Sequence, residues 1–197
     1  RRNAEKAKLF GAEHLDAVRR GAYARLRAIS AAAKRAREGA RIRACVVVTV
    51  SDSIQHFRGQ LRYLASRGVQ VTVVCSPGRF QRIALEEGAA VESIPMQRGL
   101  SPLADLVSLW RLVGFLARNR FDLVHVGTPK ASLLGALAAR ATGHRRLIYI
   151  VHGRAYESMR GAKRWLLSRL DKLVCRLARV VSPVCGELGE RLVGEGL

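Results

Sequence analysis

From Ile42 onward the chain alternates short, continuous runs of apolar and β-branched residues with longer stretches of helical period. No other feature restricts the possible folds as much. The runs are "IRACVVVTV", "VQVTVVC", "AVESIP", "FDLVHV", "RLIYIVHG" and "RVVSPV". A half-exposed strand would alternate apolar and polar residues. These runs are mostly apolar throughout, as strands covered on both faces should be. Parallel neighbours cannot be joined by hairpins and need crossover connections, usually helices. The expectation is an α/β fold: a Rossmann-like, doubly wound parallel sheet of about six strands.

The intervening stretches read as helices. One runs through Phe57, Leu61 and Leu64 and stops at Gly68. A short one passes through Phe80, Ile83 and Ala84 and stops at Gly88. Ser101-Pro102 opens a third, with a cap residue followed by Pro at the first helical position. Its residues Leu103, Leu106, Val107, Trp110 and Val113 share one face, the expected core face. A fourth runs from about Pro129 to Gly143. A fifth runs through Trp165, Leu166, Leu170, Leu173, Val174 and Leu177.

Residues 1–40 differ in kind. They are basic and rich in Ala and Arg, and Leu15, Val18, Ala22, Leu26, Ile29 and Ala33 recur at helical spacing. They read as an extra helical arm before a domain spanning 41–197. The arm is either a solvated helix, a stretch upstream of the true start, or a basic amphipathic helix on anionic lipid. The whole chain has 197 residues, 49% of them hydrophobic, enough for a real core without a disulfide or metal staple. Its net charge of +20 favours an anionic partner. Cys45, Cys75, Cys175 and Cys185 lack metal-ligand spacing and read as reduced core residues. No apolar run approaches the ~20 residues of a membrane span. With Arg-Arg at its opening, no secretory signal is expected.

In doubly wound sheets, ligands sit at the carboxyl ends of the strands, where loops lead into helices. The polar residues of this chain gather there. Ser51, Asp52, Ser53, His56 and Arg58 follow the first strand. "MQRGLSP" follows the third. His125, Thr128 and Lys130 lie at the end of the fourth. His152, Gly153, Arg154 and Glu157 follow the fifth. Thr128 is placed to cap the helix begun by Pro129, whose N-terminus would then suit an anion. Lys130 opposes the helix dipole unless an anion is bound, or else it simply reaches solvent. His152 at a strand end is either a ligand contact or a structural residue, and His56 is balanced in the same way. No Walker loop is present, and the first strand does not lead into G-x-G-x-x-G, which argues against a dinucleotide-binding oxidoreductase.

These residues carry a resemblance. The stretches "HFRGQLRYLASRG", "PMQRGLSPLADLVSLWRL", "FDLVHVGTPKASLLGALAAR", "YIVHGRAYES", "GAKRWLLSRLDKLVCRLA" and "VVSPVCGELGERL" resemble the N-terminal half of family-four glycosyltransferases. These are retaining enzymes of the GT-B fold, built from two Rossmann-like domains. The resemblance is greatest to bacterial members that build capsule, exopolysaccharide or O-antigen. It implies a hexosyl- or N-acetylhexosaminyl-transferase with a nucleotide-sugar co-substrate and neither cofactor nor metal. It implies a polyprenyl-diphosphate-linked acceptor, an anionic inner-leaflet membrane surface, and a cytoplasmic, membrane-peripheral location. By position His152 resembles the family's catalytic histidine at the donor sugar. Ser51, Asp52, Ser53 and Gly153 resemble its donor side. His56, Arg58, His125, Thr128, Lys130, Arg154 and Glu157 resemble its acceptor side.

The sequence also departs from the family pattern. Where these enzymes usually read H-x-H-[ST]-P-K-A-G, Gly127 replaces the second His and Ser132 the Gly. The loop after the first strand has no glycine before Gly59, and Cys185 stands where a serine is usual. The C-terminal donor domain in which the family places its glutamate pair (E-x7-E) is expected to be missing from these residues, so the chain alone is expected to be inactive. A second class stays open: a non-catalytic basic module binding lipid phosphate or nucleic acid. Aromatic residues, only 6% of the chain, are scarce for stacking bases, which disfavours nucleic acid.

Overall fold

The computed structural model describes residues 42–99 and 101–196. The expected basic arm lies outside the described residues.

Six strands form one parallel sheet: β1 (Arg43–Val47), β2 (Gln70–Cys75), β3 (Ala90–Ser93), β4 (Leu123–Val126), β5 (Leu147–Val151) and β6 (Val180–Pro183). Their order is β3-β2-β1-β4-β5-β6. The helices are α1 (Gln60–Ser66), α2 (Gln81–Glu86), α3 (Pro102–Arg118), α4 (Pro129–Ala141), α5 (Gly161–Leu177) and α6 (Gly186–Gly194). Two 3-10 turns, Ser51–Phe57 and Ala155–Ser158, follow β1 and β5.

Both faces of the sheet are covered, as the continuous apolar runs require. In β1, Cys45 and Val47 point into one core layer, with Leu112 and Leu116 of α3, Ala136 of α4 and Val174 of α5. Val46 points the other way, with Val48 just beyond the strand, toward Leu61 of α1 and Ile83 of α2. Right-handed crossovers produce this split, because the chain winds outward from β1 in one direction and from β4 in the other.

Where the sequence suggested one helix through Phe57 to Gly68, the chain divides it. Gly59, at φ 78°, separates the 3-10 turn from α1. The buried Glu87 carboxylate accepts from the Gly59 N–H at 2.7 and 2.9 Å and from the Arg62 N–H at 3.3 Å. A side chain from the end of α2 thus satisfies the start of α1.

Helix α3 buries a different face from the one expected, and α5 buries little of its apolar surface. In α3 the buried residues are Ser108, Leu112 and Leu116, whereas Leu103, Leu106, Val107 and Trp110 are exposed. The Ser108 hydroxyl tolerates burial by donating to the Pro95 and Ala104 carbonyls. In α5 only Val174 and Cys175 are buried, and Trp165, Leu166 and Leu173 are exposed. Apolar residues surround much of both helices, so periodicity allows more than one core face. Of the cysteines, Cys45, Cys75 and Cys175 are buried and free, but Cys185 is exposed at the start of α6.

Candidate functional site

The strand order reverses between β1 and β4, which opens the crevice where such sheets take ligands. Thr49 just beyond β1 and Thr128 just beyond β4 meet there. Their hydroxyls lie 2.8 Å apart, and the Thr49 N–H donates to Thr128 Oγ1 at 2.9 Å. Thr128 is the residue before α4, but its side chain makes no capping bond. Thr49 caps instead, accepting from the Ala131 N–H at 3.2 Å. The Ser132 N–H is taken by the Thr128 carbonyl at 2.7 Å. One of the free N–H groups at this helix start, that of Ala131, is thus already taken by a protein oxygen.

Three histidines gather beside this crossing. His125 lies in β4 and is buried, with the Phe57 ring edge-on at 5.5 Å. Its Nε2 has no hydrogen-bond partner among the described residues. Burial, with a smaller effect from His152, pushes its imidazole down to about 4. His152 follows β5 and is exposed, its ring 6.4 Å from that of His56. Burial and then His56 lower its pKa as well. Gly127 lies between β4 and His152: a Cβ added there would be 3.2 Å from His152 Nε2. At neutral pH, His125 and His152 are therefore uncharged rings, suited to holding a hydroxyl in place rather than to attracting an anion.

The other candidates occupy varied surroundings. Ser51 is buried under the turn after β2, where a Cβ on Gly78 would overlap its Oγ. Asp52 is exposed and pairs with Arg98 at 3.2 Å. Ser53 is half-buried and its N–H donates to the Val50 carbonyl at 3.1 Å. Gly153 and Arg58 are exposed, and Arg58 makes no ion pair among the described residues. Lys130 is not open: its side chain is 11% exposed, with Nζ 2.5 Å from Asp105 Oδ1 and bonded to the Gly99 carbonyl.

Arg154 is enclosed more completely. Its guanidinium lies 3.3 Å from Asp171 and 2.5 Å from Glu195, while Tyr149 and Tyr156 donate to Asp171 at 2.6 and 3.0 Å. This network joins β5, α5 and the end of α6 beneath the loop that carries His152. Glu157 pairs at the surface with Arg191, at 2.9 Å.

The structure thus brings His56 and His125 toward His152, whose ring borders Gly127, and holds Arg154 and Glu157 in separate pairs. Thr49, Gly78, Arg98, Asp105 and Asp171 went unnoticed as partners. Only Thr49, the polar residue closing an apolar run, and Gly78, in a Ser-Pro-Gly turn, carried a local signal. Among the described residues no group of three or more His, Cys, Asp or Glu is placed to hold a metal ion. Among them, too, no helix is long and apolar enough to cross a membrane.

Residues 53–197 match the glycosyl transferase 4-like domain family. The chain is 32% identical over 151 residues to the capsular polysaccharide biosynthesis glycosyltransferase CapM of Staphylococcus aureus, an alignment covering 77% of this chain and 39% of that protein. It is 28% identical over 107 residues to the UDP-Gal:alpha-D-GlcNAc-diphosphoundecaprenol alpha-1,3-galactosyltransferase of Escherichia coli, covering 54% of this chain and 27% of that protein. This chain therefore spans well under half the length of either relative. The crystal structure of MurG from Acinetobacter baumannii superposes with a TM-score of 0.54 at 18% identity, over 72% of this chain and 41% of that one, a likeness of fold alone. With the family matched over most of the chain and the parallel sheet in place, the chain belongs to the glycosyl transferase 4-like family.

Proposed function

We propose that this chain is the acceptor-side domain of a retaining glycosyltransferase. It would move a sugar from a nucleotide-sugar donor to a polyprenyl-diphosphate-linked glycan in cell-surface polysaccharide synthesis, at the cytoplasmic face of the plasma membrane. The observation that carries this reading is the cluster of His56, His125 and His152 at the β1–β4 crevice of a chain in this family. The galactosyltransferase similar to this chain acts, by its name, on a diphosphoundecaprenol-linked sugar, which supports the acceptor class.

Roles follow from surroundings. His152, exposed and uncharged, is suited to hold a donor-sugar hydroxyl and orient the anomeric carbon. On this reading the Ser51–Ser53 turn and Gly153 serve the donor side. Charge builds on the leaving diphosphate in the transition state, and a second domain that closes over the donor would stabilise it. Arg58 is the open cation suited to the acceptor diphosphate. Lys130 could join it only by leaving Asp105. Arg154 acts by holding the His152 loop, and Glu157 with Arg191 sits at the rim.

Radiolabelled-donor assays with a prenyl-diphosphate-linked acceptor test this reading. The 197-residue chain alone should show no transfer, whereas the full two-domain protein should. In that protein His152→Ala should lower turnover about a hundredfold, as misplacement of a reacting group does. Its melting temperature should barely move, because the ring is exposed. Turnover by this chain alone would overturn the two-domain reading. Full activity of His152→Ala would leave the histidine as a structural residue.

A further inference from the structure

Helix α3 leaves a stripe of large apolar side chains in water. Leu103 is 82% exposed and Trp110 70%, with Leu106 and Val107 exposed between them. Positions 103, 106, 107 and 110 are three, four and seven apart, so they share one helical face. Helix α5 repeats the pattern in its first half, where Trp165 is 62% exposed beside an exposed Leu166. Single apolar residues on a surface are ordinary, but aligned ones mark a contact.

The charges on these two helices point to the occupant. The exposed charged residues of α3 are Arg111 and Arg118, and those of α5 are Lys163, Arg164, Arg169 and Arg176. Their acids are withdrawn: Asp105 is paired with Lys130, and Asp171 with Arg154. The Arg169 guanidinium lies 5.4 Å over the Trp165 ring, an apolar body topped by a cation. Crossover helices run antiparallel to their strands. The first halves of α3 and α5 therefore lie toward the edge of the sheet that carries the histidines. A protein partner would meet this one-signed surface with acids. A nucleic acid would gain nothing from Leu103, Leu106 and Val107. Apolar side chains set among cations suit a bilayer that offers acyl chains below and phosphates above.

We propose that the first halves of α3 and α5 form a contact surface for an anionic lipid bilayer. Leu103, Leu106, Val107, Trp110, Trp165 and Leu166 enter the headgroup boundary, and the Lys and Arg side chains remain at the phosphates. This deepens the lipid-linked acceptor reading by naming the surface that meets the membrane. Its test reads vesicle binding and not sugar transfer, so the two can fail separately.

The only tryptophans of the chain are Trp110 and Trp165, one on each helix, and residues 1–40 contain none. Trp165→Phe leaves Trp110 as the sole reporter, and Trp110→Phe leaves Trp165. With vesicles of phosphatidylglycerol and phosphatidylcholine, tryptophan emission should shift to the blue in both variants. Binding should weaken as salt is raised and be far weaker to phosphatidylcholine alone. Leu103→Ser with Leu106→Ser should lower partition at least about tenfold, since each buried leucine contributes that much or more. The far-UV dichroism and melting of that variant should match the parent. Several results would overturn the proposal. They are no vesicle binding, binding without an emission shift in either variant, a shift in only one of them, or a shift that follows protein concentration without lipid and so reports a second copy.

Discussion

At the scale of single residues, the site is organised by what one glycine leaves open. Gly127 stands where the family usually has a second histidine, and the space it leaves is bounded by the His152 ring. Its φ is not positive, so an added methyl meets crowding rather than backbone strain. The nearest atoms belong to an exposed ring that can yield. Gly127→Ala should therefore change stability by no more than about 0.5 kcal/mol, while displacing His152. NMR titration of the histidine ring protons checks this: the His152 signals should move and melting should not. An unmoved His152 would show that its ring does not rest on the glycine. None of this could be read from the sequence, where Gly127 was simply a mismatch to a motif.

At the scale of elements, helices were foreseen well and the buried face of α3 poorly. The start of α3 at Pro102 and of α4 at Pro129 follow from proline's fixed φ and its missing N–H. Thr128 was expected to cap α4, but Thr49 does so, because β1 and β4 become neighbours only in the folded sheet. That packing is close: a Cβ on Gly135 of α4 would be 2.7 Å from Val126 Cγ1 and 3.6 Å from Val47 Cβ. Two effects compete in Gly135→Ala. Alanine favours the helix by about 1 kcal/mol over glycine. Overpacking a filled core costs about 1–3 kcal/mol, and Val126 is fully buried with nowhere to retreat. The clash should win, lowering unfolding free energy by up to about 2 kcal/mol in urea titration. A variant more stable than the parent would mean that α4 can rise off the sheet.

At the scale of the whole molecule, the buried histidine ties stability to pH. His125 titrates near 4 in the folded chain, chiefly through burial, against about 6.5 when unfolded. Between those values the unfolded chain holds a proton that the folded one refuses, so stability rises with pH across the window. The contribution is intact above about pH 6.5 and is lost as pH falls toward 4, on the order of 3 kcal/mol. His144, in contact with Thr142 and the Phe121 N–H, and His152 are also shifted downward and act in the same direction. Thermal melts across this range should show the midpoint falling on acidification, with a shallower fall in His125→Leu. An equal slope in that variant would remove His125 as the cause.

The sequence by itself determined the α/β class, the six strands and the edge of the sheet where a ligand belongs. Continuous β-branched runs can only be covered on both faces, and parallel neighbours need crossovers; both facts are local. It also pointed to His56, His125 and His152, because polar residues at the ends of apolar runs stand out. Only the tertiary structure decided which of the candidates meet. The withdrawal of Lys130 by Asp105, the enclosure of Arg154 by Asp171 and Glu195, and the exposure of Trp110 and Trp165 depend on residues far apart in the chain. A side chain's partner is set by which surfaces the crossovers bring together, and helical period alone cannot choose between two apolar faces of one helix.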